Sequence, residues 1–185
     1  TPGAMTTYTK VTSNDGVVAG KQYLIVYENG TSSKVFKPIL SGSTYTASAE
    51  NAIDAVVSDN TITSDALDDC LVTLEASGTN FFMKAAGSYL YPSQDNLGSE
   101  SSPTSSRALS ITISGGKVTI KRSQYTHYLA YNSYFLRAGS DSGNMALYTV
   151  SDGSTSEPPT PTTQYYTKIN SRDDLPSASQ TDATG

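Results

Sequence analysis

Apolar and polar residues alternate with a period of two along most of this chain. In "QYLIVYENG" (22–30), Tyr23, Ile25 and Tyr27 share one face, and Leu24 and Val26 the other. That period marks a strand, and Asn29-Gly30 marks the turn that ends it. "KVFKPIL" (34–40) continues the pattern. Pro38 places an edge or a bulge there, because proline donates nothing to a ladder. "IDAVVSDNTIT" (53–63) reads as two short strands about Asp59-Asn60. "CLVTLEASGTNFFMKAAGSYLYP" (70–92) reads as three, with turns at Ser77-Gly78 and Gly87. "ALSITISGGKVTIKRS" (108–123) is a hairpin about Gly115-Gly116, a strong two-residue turn signal. "HYLAYNSYFLRAG" (127–139) is a second hairpin near Asn132-Ser133, and "NMALYTVSD" (144–152) follows it. "YTKV" (8–11) opens the set, giving about twelve strands of four to eight residues. The one helical stretch, "SAENAIDA" (48–55), is too short to matter.

The pattern repeats weakly. Tyr89-Leu90 and Tyr128-Leu129 lie about 40 residues apart, and Tyr23-Leu24 reads as a first copy. Twelve short strands at that period predict an all-β domain, a single β-trefoil-like barrel. A β-sandwich is the alternative.

The pattern stops at "SDGSTSEPPTPTT" (151–163). Three prolines stiffen this stretch, and its Ser, Thr and Gly have no apolar face to bury. The chain then restarts: Tyr166-Thr167-Lys168-Ile169 repeats Tyr8-Thr9-Lys10-Val11, with Ser171 and Asp173 where Ser13 and Asp15 fall. The expected organisation is a cloning remnant at 1–5, a β domain over 6–151 and a linker over 152–164. Residues 165–185 then form the start of a second, incomplete repeat or a tail. From the restart we expect residues 165–169 to add as an edge strand to a neighbouring molecule.

Composition narrows the function. The formal charge is −5, and the twelve basic residues are scattered, which disfavours nucleic acid. "IKRSQY" (120–125) is the densest basic spot and suits a solvated strand edge. No apolar run approaches the roughly 20 residues that span a bilayer, so direct membrane insertion is not expected. Cys70 is alone and sits at the start of an apolar alternation, as a packing cysteine does.

The residues "YTKVTSNDGVVAGKQYLIVYENG" (8–30), "VSDNTI" (57–62), "YLAYNSYFLRAGS" (128–140) and "ALYTV" (146–150) carry a resemblance. Over roughly residues 8–150 the chain resembles an accessory or repeat module of multidomain secreted and surface proteins of gut bacteria. The shared motifs are strands and turns. The resemblance implies an extracellular or cell-surface location and an accessory role, in tandem or beside enzyme domains. It supplies no catalytic residues.

Candidate chemistry is sparse. A nucleophile needs a base that orients it, and His127 is the one histidine. Asp68, Asp69 and Glu75 could pair as glycosidase carboxylates only if they faced one cleft. "SDSGN" (140–144) opens like a calcium loop but lacks the distal bidentate Glu. No His/Cys zinc spacing and no phosphate-cradling Gly loop is present, so no enzyme activity, metal or cofactor is expected. Aromatic density rises above the rest. Tyr125, Tyr128, Tyr131, Tyr134 and Phe135 fall within eleven residues, near Arg137, Asp141 and Asn144. Period-two alternation cannot bury them all. An exposed Tyr covers the apolar face of a pyranose while amides, carboxylates and Arg meet its hydroxyls. A second loop, Tyr91 with Gln94, Asp95 and Asn96, has the same chemistry. The expected ligand is a glycan or cell-surface polysaccharide, and the expected role is a non-catalytic binding or adhesive module. A structural spacer is the alternative.

Overall fold

The computed structural model describes residues 4–141 and 143–151, all within one compact unit, Thr1–Thr155. The expected linker and the restart at 165–185 lie outside the described residues.

The domain is all-β. Sixteen strands form among the described residues: β1 (Thr6–Lys10), β2 (Gln22–Tyr27), β3 (Ser33–Phe36), β4 (Leu40–Ser41), β5 (Thr44–Tyr45), β6 (Ala52–Ala55), β7 (Thr61–Ser64), β8 (Val72–Ser77), β9 (Asn80–Ala85), β10 (Ser88–Pro92), β11 (Leu97–Glu100), β12 (Leu109–Ser114), β13 (Lys117–Arg122), β14 (Tyr128–Asn132), β15 (Tyr134–Ala138) and β16 (Met145–Val150). The helical turns among them are single three-residue 3-10 turns. The "SAENAIDA" stretch supplies one, Ala49–Asn51, before it becomes β6.

Turn chemistry sets the strand ends. Asp59 and Asn60 both have positive φ (49° and 59°) between β6 and β7. Gly115 and Gly116 do the same (58° and 73°) between β12 and β13, the geometry that two-residue hairpins need. Ser133, at φ 64°, turns β14 into β15. Strand β11 and the short β4–β5 hairpin are additions that the alternation did not mark, since Leu97–Glu100 holds one large apolar residue.

The strands pair antiparallel, fourteen of them in one sheet with the path β15-β14-β13-β12-β9-β8-β2-β16-β1-β7. Three consecutive ladders recur within it: β2–β3–β6, β9–β10–β11 and β13–β14–β15. Two of them have a later strand that pairs back to their first member. Strand β8 pairs with β2 and β12 with β9. Strand β16 lies against β13 but forms its ladders with β2 and β1, so the hydrogen-bonded path stays open. Tyr89-Leu90 and Tyr128-Leu129 occupy corresponding strands, β10 and β14. Tyr23-Leu24 lies instead in β2, the first strand of its ladder, which corrects its reading as the first copy.

Burial explains the long apolar runs. Tyr23 and Ile25 of β2 join Met145 and Leu147 of β16 in the larger core. Leu24, Val26, Ala146 and Tyr148 face the other way, into a second core with Tyr8, Val35, Ile62 and Cys70. The β2–β16 layer is thus covered on both faces, a sandwich-like feature. At the centre of the larger core Phe36 and Phe135 meet at 5.2 Å, and Tyr131 lies 4.9 Å from Phe135. The buried Tyr45 hydroxyl donates to the Phe135 carbonyl at 2.6 Å.

The second core holds titratable groups in neutral form. Burial pushes the Cys70 thiol from its ordinary 9.0 up to about 11. Burial, then the neighbouring Asp68 carboxylate, pushes the Tyr8 phenol from 10.0 up to about 12.

Two outcomes follow from this packing. Phe135→Ala is expected to cost about 3–5 kcal/mol in urea unfolding, whereas Val56→Ala, at a side chain 61% exposed, should stay within about 0.5 kcal/mol. Raised acid pKa values mean that the folded chain keeps protons that the unfolded chain has lost. The stability they add is therefore complete below the unfolded values and is lost as pH rises: from about 9 to 11 for Cys70, and from about 10 to 12 for Tyr8. The urea midpoint is expected to fall above about pH 9, and Cys70→Ala should postpone that onset.

Candidate functional site

The structure divides the expected site residues among three places. The first is a stack at the base of the β14–β15 hairpin. The Arg107 guanidinium lies over the Tyr91 ring at 4.2 Å. That of Arg122 lies 5.4 Å from Tyr91 and 4.2 Å from Tyr125. Tyr125 in turn stacks on His127, with ring centroids 5.3 Å apart. Tyr91 is 7% exposed and presses on the backbone of Gly98, where an added Cβ would fall 2.5 Å from its Cζ. Arg137 joins from β15, its Nε donating to the Ser93 carbonyl at 3.1 Å. The two segments singled out from sequence, 91–96 and 125–137, therefore do meet here. Tyr128 sits alongside, opposite Lys121 and Ala138 in its ladders, with Lys121 Nζ 6.0 Å from its ring.

Two polar atoms in this region are buried without a hydrogen-bond partner among the described residues: Asn96 Oδ1 and His127 Nδ1. Gln94 and Asp95 are exposed on the loop, which the Ser93 N–H closes on the Asn96 carbonyl at 2.7 Å.

The second place is the hairpin tip. Tyr134 is 42% exposed and has no ring, cation or side-chain hydrogen-bond partner among the described residues. Exposed Asn132 and Ser133 precede it. Beneath it Phe135 is fully buried, and Tyr131 packs on Tyr27 at 4.7 Å. At roughly 3.3 Å per residue, Tyr134 lies about 13 Å along β15 from the stack end at Ala138. The third place is the turn before β16. Asp141 accepts from the Thr119 hydroxyl at 2.8 Å and from the Gly143 N–H at 3.1 Å. The Asn144 carbonyl accepts from the Glu28 N–H at 2.8 Å, while its side chain is exposed.

Arg122 and Arg107 are the residues that sequence reasoning passed over. Arg122 is 8% exposed and its Nε donates to the Ser106 carbonyl at 2.8 Å. Its signal was present in the chain: in the alternation of "KVTIKR", Arg122 falls on the same face as Val118 and Ile120.

Among the remaining sequence candidates, Asp69 is exposed. Asp68 accepts from Tyr8 at 3.3 Å and Glu75 from Tyr89 at 2.9 Å. Cys70 is fully buried. Among the described residues no three His, Cys, Asp or Glu side chains converge as a metal site would need. No helix there is long and apolar enough to cross a membrane. Clefts of about 430, 380 and 440 Å³ lie around Lys21, Ile62 and Pro38 respectively; Asp68 and Asp69 line the third, and Glu75 does not. The chain matches no protein-family model, no curated protein and no solved structure.

The stack makes a specific energetic demand. Arg122→Met keeps the apolar stem but strips the guanidinium from two rings and leaves the Ser106 carbonyl unpaired. It is expected to cost about 2 kcal/mol in urea unfolding. Gly98→Ala, which drives a methyl into the Tyr91 ring, should cost about 1–3 kcal/mol.

Proposed function

We propose that this domain is a non-catalytic extracellular binding module whose ligand is carbohydrate. The observation that carries the reading is Tyr134. It is an aromatic side chain exposed at a tight turn, beside an exposed amide and an exposed hydroxyl, on a strand anchored by Phe135. With only two side-chain torsions, tyrosine loses little rotamer freedom on binding. Its flat apolar body suits the C–H face of a pyranose, and its phenol suits the hydroxyls. Tyr125, 44% exposed and braced by Arg122, offers a second ring of the same kind. The resemblance to gut-bacterial accessory modules supports the same reading and a place in a secreted or surface protein.

The architecture we propose is a β-trefoil-like one. Its three units are the ladders β2–β3–β6, β9–β10–β11 and β13–β14–β15, closed by β8, β12 and β16 respectively. The order of pairing in two units, and the position of β16 against β13 in the third, support it. In this arrangement β1 and β7 are extra strands laid on the outer side of β16. A spacer that projects a neighbouring domain is the second reading, favoured by the recurrence of Tyr-Thr-Lys at 166–168.

A glycan array tests the function. Binding to at least one host or plant polysaccharide is expected, reduced at least about tenfold, or 1.4 kcal/mol, by Tyr134→Ala with an unchanged melting temperature. A clean negative across the array would sink the carbohydrate reading and leave the spacer.

A further inference from the structure

The groove that β1 fills has four side-chain requirements, and the chain carries a second segment that meets them. Strand β1 lies between β16 and β7, antiparallel to both. Tyr8 is fully buried in the second core, and its phenol reaches Asp68 Oδ1. Thr9 pairs its hydroxyl with Ser151 on the surface. Lys10 Nζ meets Glu28 Oε2 at 2.9 Å with only 11% of its side chain exposed, and the other Glu28 oxygen accepts from the buried Tyr148. Val11 fills the larger core, and its N–H donates to the Leu147 carbonyl at 2.8 Å. The order aromatic with a polar tip, hydroxyl, cation, branched aliphatic is thus imposed by four different surroundings. Residues 166–169, Tyr-Thr-Lys-Ile, repeat that order.

The likeness ends where the strand ends. Beyond β1, Gly16 turns so close to Val11 that a Cβ there would sit 2.5 Å from Val11 Cγ1. The corresponding position in the second segment is Asp174. Likewise Asn14, whose Oδ1 accepts from the Ile113 N–H at 2.7 Å, corresponds to Arg172. The second segment therefore keeps the residues of the strand and lacks two that lock the following turn onto the domain.

We propose that the position of β1 is a strand-acceptor site, and that its second occupant is residues 166–169 of another copy of this chain. The incoming strand replaces β1, takes main-chain hydrogen bonds from β16 and β7, and places Tyr166 at Asp68, Lys168 at Glu28 and Ile169 in the larger core. Strand addition of this type draws affinity from the backbone and specificity from alternate side chains. The proposal does not depend on the carbohydrate reading.

Cross-strand disulfide trapping in the full chain tests it. Thr9 and Thr149 are direct partners, so Thr149→Cys with Thr167→Cys places thiols opposite each other once the donor strand is seated. Under mild oxidation we expect covalent dimers joined between positions 149 and 167 and identified by peptide mapping. Their yield should rise with protein concentration and exceed several-fold that of Thr149→Cys with Thr163→Cys. Adding Tyr8→Phe, which weakens the resident strand, should raise the yield, and adding Ile169→Asp should abolish it. A yield no greater than that of the 163 control, linkage confined to single chains, or indifference to either added substitution would overturn the proposal.

Discussion

The burial of β2 on both faces is the constraint on which the rest of the domain depends. A strand flanked by β16, β8 and β3, with a core above and below, has no face left for polar residues. The run Tyr23-Leu24-Ile25-Val26 answers this by being apolar at every position. The cost falls on the tyrosines, whose hydroxyls cannot be left unpaired in a core. Tyr23 donates to the Gly16 carbonyl at 2.6 Å and accepts from the Val18 N–H at 2.8 Å, which ties the β1–β2 connection down. Tyr148, on the neighbouring strand, reaches Glu28, and Glu28 reaches Lys10. The network that seats β1 thus exists because two-sided burial brings tyrosine tips to the edges of the cores, where polar groups must meet them.

The same economy separates supporting aromatic residues from available ones. Tyr91 is enclosed by Gly98 and two arginines, and Tyr131 by Tyr27 and Phe135. Both stabilise the ground on which other rings stand. The arginines contribute through their flat faces as well as their charge, and Arg122 anchors its Nε on a backbone carbonyl, which fixes its plane between the two tyrosines. Of the exposed rings, Tyr125 is held between Arg122 and His127, whereas Tyr134 is placed only by the turn that carries its backbone. In the proposed binding to a glycan, a ring held in place before contact loses less freedom than a mobile one.

Much of the fold was legible in the chain because its signals are local. Period-two patterns and short apolar runs marked β2, β8, β9, β12, β13 and β16, and the pairs Asp59-Asn60, Gly115-Gly116 and Asn132-Ser133 marked three of the turns. These residues act through their own φ, ψ and the pleat. Strand β11 was missed because a short strand with one buried leucine has no alternation to show. Of the site, the two loops that meet were legible as aromatic and polar clusters. Their division into a stack, a hairpin tip and a separate turn was not. Arg122 was passed over because a charged residue beside a lysine resembles a solvated edge until its partners come in from another strand.

The sequence by itself determined the secondary-structure class, the places where the chain reverses and the recurrence of the Tyr-Thr-Lys sequence, since each is read from neighbouring residues. The tertiary structure decided which faces are core, that β16 gives its second ladder to β1 while β13 lies beside it, and which of the eleven tyrosines among the described residues remain in solvent. Those outcomes depend on pairings between residues far apart in the chain, such as Tyr8 with Val150 and Leu109 with Phe81. No local pattern encodes a partner that is brought near only when the sheet assembles.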